Sequence, residues 1–175
     1  MKQKTMKLAL MLLVAVVAFT SCSKSSKTAR FLPDDAITMR IDVKQILDKS
    51  KAADNDAVKQ QLAKNLEAMG KNEEAKAVLK AVAEDPAKAG IDLRQPLWAS
   101  ANVEGKNVLL VGELLDKDDF VKLLTALDKA PKEKDGIQYI GEGGNVIAFD
   151  DDCFVVSDGT IDDVIKKFNA DTKGT

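Results

Sequence analysis

Residues 136–159 read GIQYIGEGGNVIAFDDDCFVVSDG. Three short apolar runs, GIQYIG, NVIAF and CFVVS, alternate with two clusters of turn formers, Gly143–Gly144 and Asp150–Asp151–Asp152. Glycine tolerates left-handed backbone, and aspartate bonds its own following amides. Runs of this length between such breaks predict three consecutive strands with tight connections, and tight connections make antiparallel neighbours.

On the C-terminal side, Thr160 with Asp163 predicts a capping box, and Ile161, Val164, Ile165 and Phe168 line one face of a last helix. On the N-terminal side, PLWASANVEGKNVLLVGELL predicts a β-hairpin. Leu97, Ala99, Ala101 and Val103 alternate, Glu104-Gly105-Lys106 turns, and Val108 to Val111 is an apolar run suited to a central strand. Asp116 then caps a helix with Asp119 in its amide-rich first turn. Leu115 and Phe120 occupy staple positions, Phe120, Leu123, Leu124 and Leu127 form the buried stripe, and Pro131 ends the helix.

Earlier still, DAITMRID alternates Ile37, Met39 and Ile41 with polar residues and predicts a strand near 36–42. Asp42 is placed as an N-cap, with Gln45 at the capping-box position and Ile41 and Ile46 as a staple, for a short helix through Lys49. Val58, Leu62, Leu66 and Met69 recur at helical spacing and Gly70 stops that helix. Ala75, Val78, Leu79 and Val82 mark a second helix with Pro86 beyond its end, which completes a helical hairpin.

The expected fold is therefore α+β. It has an antiparallel or mixed sheet, a split βαββαβ (ferredoxin-like) core, an inserted helical hairpin, and extra C-terminal strands and a helix. Helices are expected mainly on one face. One domain is expected over 34–175.

The N-terminus has a different character. Lys2, Lys4 and Lys7 precede an uninterrupted apolar run, Leu8 to Phe19, and Thr20, Ser21 and Cys22 follow. The run has the length of a signal-peptide core and falls short of the roughly 20 residues that span a bilayer. FTSC resembles a bacterial lipobox, although Phe19 and Ser21 depart from its strictest form. The resemblance implies cleavage after residue 21, a thioether-linked diacylglycerol on Cys22 and an acylated amino group. Ser23 implies passage to the outer membrane. Residues 22–33 are expected to be the lipidated cysteine and a polar tether. The tether has no acidic cluster, which favours the periplasmic face.

The leader holds three lysines and no acid, which leaves 23 basic against 28 acidic side chains and a formal net charge of −5. That lacks the basic footprint of a nucleic-acid binder. Histidine is absent. Its absence removes Ser-His-Asp and Cys-His catalysis and the commonest transition-metal ligand. Carboxylate chemistry and oxygen-ligated metals stay open.

The blocks LPDDAITMRIDVKQILDKS, GIDLRQPLWASANVEGKNVLLVGELLDKDDFVKLL and GIQYIGEGGNVIAFDDDCFVVSDG are similar to successive segments of an uncharacterised family of bacterial envelope lipoproteins, a domain of unknown function. The resemblance covers most of the chain after the leader and rests on turns and strand patterns. It supplies no catalytic residue. Members are longer, so the resemblance leaves this chain as a short member or as the N-terminal part of a longer family domain.

Several residues invite chemistry. Asp150, Asp151, Asp152 and Asp158 offer oxygen ligands, but their spacing is not that of an EF-hand loop. Turn chemistry accounts for them. Cys153 sits in an apolar strand, the setting of an inert thiol. Gly141, Gly143 and Gly144 precede a strand, so the helix start that holds a phosphate is missing. Trp98 and Tyr139 fall on strands as partly buried residues. NLEAMGKNEEAKAVLKAVAEDP resembles part of a tetratricopeptide repeat, yet no second copy exists and about three are needed.

No catalytic, cofactor-binding or metal-binding residue is expected, only lipidation at Cys22. The expected role is a non-catalytic binding or assembly module of the envelope, with the membrane and an envelope protein as partners. The alternatives are a carboxylate-dependent hydrolase of envelope or dietary glycans, and an adaptor that uses the helical hairpin.

Overall fold

The computed structural model describes residues 27–50, 55–102, 104, 107–141 and 145–170. The leader, Cys22, Val103, Gly105-Lys106 and the Gly143–Gly144 turn lie outside the described residues. A 3-10 turn, Ala29–Phe31, comes first. It is followed by β1 (Ile37–Ile41), α1 (Val43–Ser50), α2 (Asp56–Glu67), α3 (Glu73–Glu84) and a 3-10 turn at Pro86–Ala89. Then come β2 (Leu97–Ala101), β3 (Leu109–Glu113) and α4 (Lys117–Ala126). The chain continues through β4 (Lys132–Lys134), β5 (Ile137–Ile140), β6 (Val146–Phe149), β7 (Cys153–Ser157) and α5 (Ile161–Ala170). Among the described residues no helix is long and apolar enough to cross a membrane.

The fold is α+β, and all seven strands form one antiparallel sheet in the order β1-β2-β3-β7-β6-β5-β4. The three strands expected over 136–159 are β5, β6 and β7. The split arrangement is not present. It would seat a third strand between the two strands flanking the first helical segment, whereas β1 and β2 pair directly, Ile41 opposite Leu97 and Ile37 opposite Ala101. The helical excursion leaves and re-enters the sheet at the same end, so it acts as one long hairpin connection. The chain segment through α4 is the crossover. It joins β3 to β4 at the far edge, with β7, β6 and β5 between them.

Helices cover both faces, not mainly one. On one face Leu109, Val111, Cys153, Val155, Val146, Ala148 and Ile137 pack with Val164, Ile165 and Phe168 of α5 and with Phe31. On the other, Phe154, Phe149 and Ile140 pack with Phe120 and Leu124 of α4. Phe120 meets Phe149 edge-on at 5.1 Å between ring centroids. The α2–α3 hairpin forms a further layer, with Ala75 and Leu79 of α3 packed against Ala126 of α4. It is docked on α4 and does not project.

Local signals are met at most helix starts. Asp42 accepts from the Gln45 amide, and Asp116 accepts from the Asp119 amide, both at 2.9 Å. Thr160 accepts from the Asp163 amide at 3.3 Å and donates its hydroxyl to that carboxylate at 2.6 Å. Three details differ from expectation. Helix α4 ends before Pro131, in a Schellman motif: Asp128 is left-handed (φ 62°), its amide donates to Thr125 O and that of Lys129 to Leu124 O. The staple residues Ile46 and Leu115 are about half exposed, and so are Val58, Leu62 and Met69 of the α2 stripe. Strand β4, sequence KEK, carries no apolar pattern. It exists because Asp135 and Gly136, both at positive φ, close a two-residue hairpin onto β5.

Gly90 fixes the junction between the helical layer and the sheet. It is left-handed (φ 73°), its carbonyl accepts from the Leu115 and Asp116 amides, and a Cβ there would fall 2.3 Å from Asp116 O. Gly136 shares the positive φ (78°) but has open space around it. Gly90→Ala is expected to destabilise the domain by about 3 kcal/mol, and Gly136→Ala by about 1 kcal/mol, because only the first adds a backbone clash to the strain. Urea unfolding of both variants checks this, and equal losses would contradict it.

Candidate functional site

Two features stand out at one end of the sheet, where β3 stops and β7 starts. The first is the turn Asp150–Asp152. Asp150 accepts from the amides of Asp152 (2.8 Å) and Cys153 (2.7 Å), which is the local chemistry that makes the turn. Its other oxygen accepts from Arg30 Nη2 at 2.9 Å. Asp151 pairs with Lys117 at 2.6 Å, and Asp152 pairs with Lys27. Each carboxylate is thus directed to its own cation. Asp158 lies at the opposite end of β7, where its amide meets Val108 O. The structure does not bring the four aspartates together, and among the described residues no group of three His, Cys, Asp or Glu side chains is placed to hold a metal.

This turn receives the N-terminal segment. Phe31 is 1% exposed and meets Phe168 edge-on at 4.6 Å. The Arg30 guanidinium lies 4.7 Å from the Phe31 ring centroid, and Lys167 Nζ donates to Phe31 O. Burial lowers the pKa of Lys167. The folded part therefore begins inside the stretch read as a polar tether to residue 33. Phe31 and Leu32 form too short an apolar stretch to show a periodicity that would reveal them.

The second feature is an apolar groove of about 540 Å³ between α1, α2 and the segment Ala83–Arg94. Leu47, Val58, Leu62, Ile91, Leu93 and Leu115 form its apolar wall. Three of its four carboxylates, all but Glu84, are engaged. Arg94 clamps Asp92 through Nε and Nη2, both at 2.8 Å, and these bonds hold the Asp92 carboxyl below the usual range. Asp85 caps the following 3-10 turn through the Ala87 amide, and Asp48 pairs with Lys44. A general acid needs the opposite shift. The arrangement offers apolar contact with a charged rim. The stripe of α2 signalled an apolar face in the sequence, but periodicity does not say that the face stays open.

Cys153 is fully buried, and burial, aided by Asp150, pushes its thiol from 9.0 up to about 12. Trp98 and Tyr139 are partly buried on β2 and β5, and Tyr139 packs against the core. Gly141 is left-handed at the end of β5.

Residues 29–164 match the family model described as domain of unknown function (DUF4836). The chain belongs to this family. The match runs from the first 3-10 turn into α5, and so covers the sheet, both helical layers and the groove. Cys22 lies before it. No curated protein and no solved structure matches the chain.

The thiol generates a pH dependence. Between 9 and about 12 the unfolded chain loses the Cys153 proton while the folded chain keeps it, so stability falls as pH rises through that window. The slope from this group approaches about 1.4 kcal/mol per pH unit. Cys153→Ala is expected to flatten the stability profile above pH 9, measured by urea unfolding at pH 8, 9 and 10. An unchanged slope would show that the thiol ionises in the folded chain.

Proposed function

We propose that this is a lipid-anchored protein of the bacterial cell envelope, held in the outer membrane through Cys22 with its domain on the periplasmic face. It works there as a non-catalytic binding or assembly module. The observation that carries the reading is the order of a lysine-bearing start, the apolar run Leu8–Phe19 and Cys22, five residues before Lys27. Two or more acyl chains hold a protein stably where one holds it marginally.

The domain's construction supports the reading. An anchor at Cys22 positions a domain only if the chain is fixed soon afterwards, and buried Phe31 fixes it, with Lys27 and Arg30 ion-paired beside it. The buried thiol and the ion-paired Asp48 and Asp92 of the groove are suited to holding a fold and a surface. The open apolar groove is suited to contact.

Expression of the full chain in a bacterium that processes lipoproteins, followed by intact mass measurement of the membrane-extracted protein, tests the anchor. The expected product lacks residues 1–21 and carries diacylglycerol plus an acyl group on Cys22, while Cys22→Ala moves the protein to the soluble fraction. An unmodified Cys22 in the mature protein would overturn the anchor. In-cell crosslinking is expected to capture an envelope protein with the anchored form and not with Cys22→Ala. Turnover of any substrate by the purified protein would overturn the non-catalytic role.

A further inference from the structure

The attachment point and the groove lie at the same end of the sheet. Lys27 pairs with Asp152, and the Asp152 carbonyl accepts from the Leu114 amide at 2.8 Å. The next residue, Leu115, lines the groove, and its amide donates to Gly90 O at 2.8 Å, beside Ile91 in the same wall. These contacts follow one another without a gap. Six residue steps separate Cys22 from Thr28, which is buried, and they reach at most about 22 Å. A lipid on Cys22 therefore keeps this end of the domain within about that distance of the bilayer.

The groove is open where a lipid would enter. Val58 is 46% exposed, Leu62 43% and Leu115 48%. Its volume of about 540 Å³ lies inside the roughly 300–1,000 Å³ of small-molecule sites. Lys59 stands at the wall and makes no ion pair among the described residues, unlike Lys44 and Arg94, which are paired. Glu84, at the same wall, likewise makes no ion pair among the described residues, and an apolar wall with one unpaired cation and one unpaired carboxylate matches a fatty chain joined to a headgroup that carries both a phosphate and an ammonium.

We propose that the groove takes one acyl chain of a phospholipid from the leaflet that holds the anchor, with Lys59 against its phosphate. The proposal rests on the anchored reading given above. The chains on Cys22 itself are not the occupant, because withdrawing one from the bilayer weakens the hold that several chains provide. The bound lipid would fix the domain's orientation on the membrane.

The test uses the mature lipoprotein reconstituted in phosphatidylethanolamine–phosphatidylglycerol vesicles, with a photoactivatable group near the end of the phosphatidylethanolamine acyl chain. After illumination, adducts are mapped by peptide mass spectrometry. Adducts are expected on the peptides of the groove, and Leu62→Glu and Leu115→Glu are each expected to lower them about tenfold or more, the loss that follows removal of one buried leucine. Both residues are about half exposed, so the variants keep their fold, which an unchanged melting midpoint verifies. Adducts spread evenly over the surface, or unaffected by either substitution, would overturn the proposal. So would protein–protein adducts at the groove, which would assign it to a second chain. Cys22→Ala protein mixed with the same vesicles separates the two readings. Groove adducts that persist there and still depend on Leu62 and Leu115 support the groove even if the mass measurement refutes the anchor. Their absence there, with a lipidated Cys22 in the parent and no groove adducts, leaves the anchor standing and refutes the groove.

Discussion

Strand β7 is buried on both faces, and the architecture follows from that. Cys153 and Val155 point to one layer, and Phe154 packs into the other. Its backbone bonds to β3 on one side and β6 on the other, so three strands hang from each flank. A strand in this position is apolar without alternation up to its last residue, because a buried polar side chain needs a protein partner, as Ser157 has in the Gly159 amide. It also needs a cover on each side. Helix α4 supplies one through Phe120 and Leu124, and α5 with Phe31 supplies the other. Gly112 on β3 belongs to the same constraint: a Cβ there would fall 2.5 Å from the Phe154 ring and 2.6 Å from Leu97. The bulk of Phe154 is possible because its cross-strand neighbour has no side chain.

What was legible in the sequence is what neighbouring residues decide together. Caps, helical stripes and the three strands of residues 136–159 depend on bonds and contacts within a few positions, and they appear where the pattern places them. Strand order depends on where a long excursion re-enters the sheet. Nothing in residues 42–96 records that Leu97 returns beside Ile41, so the split arrangement and the direct β1–β2 pair were equally compatible with the element order. Likewise CFVVS and its neighbours indicate burial but not which helix lies on which face. Strand β4 and Phe31 were missed for a shared reason. One is wholly polar and the other a lone aromatic, so neither has a period, and each is held by a partner distant in kind: a hairpin turn for β4, a helix 137 residues away for Phe31.

The groove shows the limit of periodicity from the other direction. Val58, Leu62, Leu66 and Met69 carry the spacing of a buried stripe, but only Leu66 joins the packed cluster with α3 and α4. Helix α3 spends its own apolar side on α4, and α1 stands clear of both. An amphipathic pattern states that a face favours leaving water. It does not state whether the rest of the same domain provides the cover.

The acidic turn resolves a similar ambiguity through charge. Three successive aspartates would repel one another if they converged, and the chain avoids this by turning each to its own cation: Arg30 and Lys27 of the N-terminal segment and Lys117 of α4. Exposed and half-buried pairs of this kind contribute roughly 0–1 kcal/mol each, so they do not by themselves hold the N-terminal segment in place. Phe31 does, since full burial of such a side chain contributes about 1.5–3 kcal/mol. The ion pairs set direction. Two of them, Arg30–Asp150 and Lys27–Asp152, lay residues 27–30 along the turn where β7 begins. One buried ring thus holds the segment, and two ion pairs set its course against the turn that opens the most buried strand.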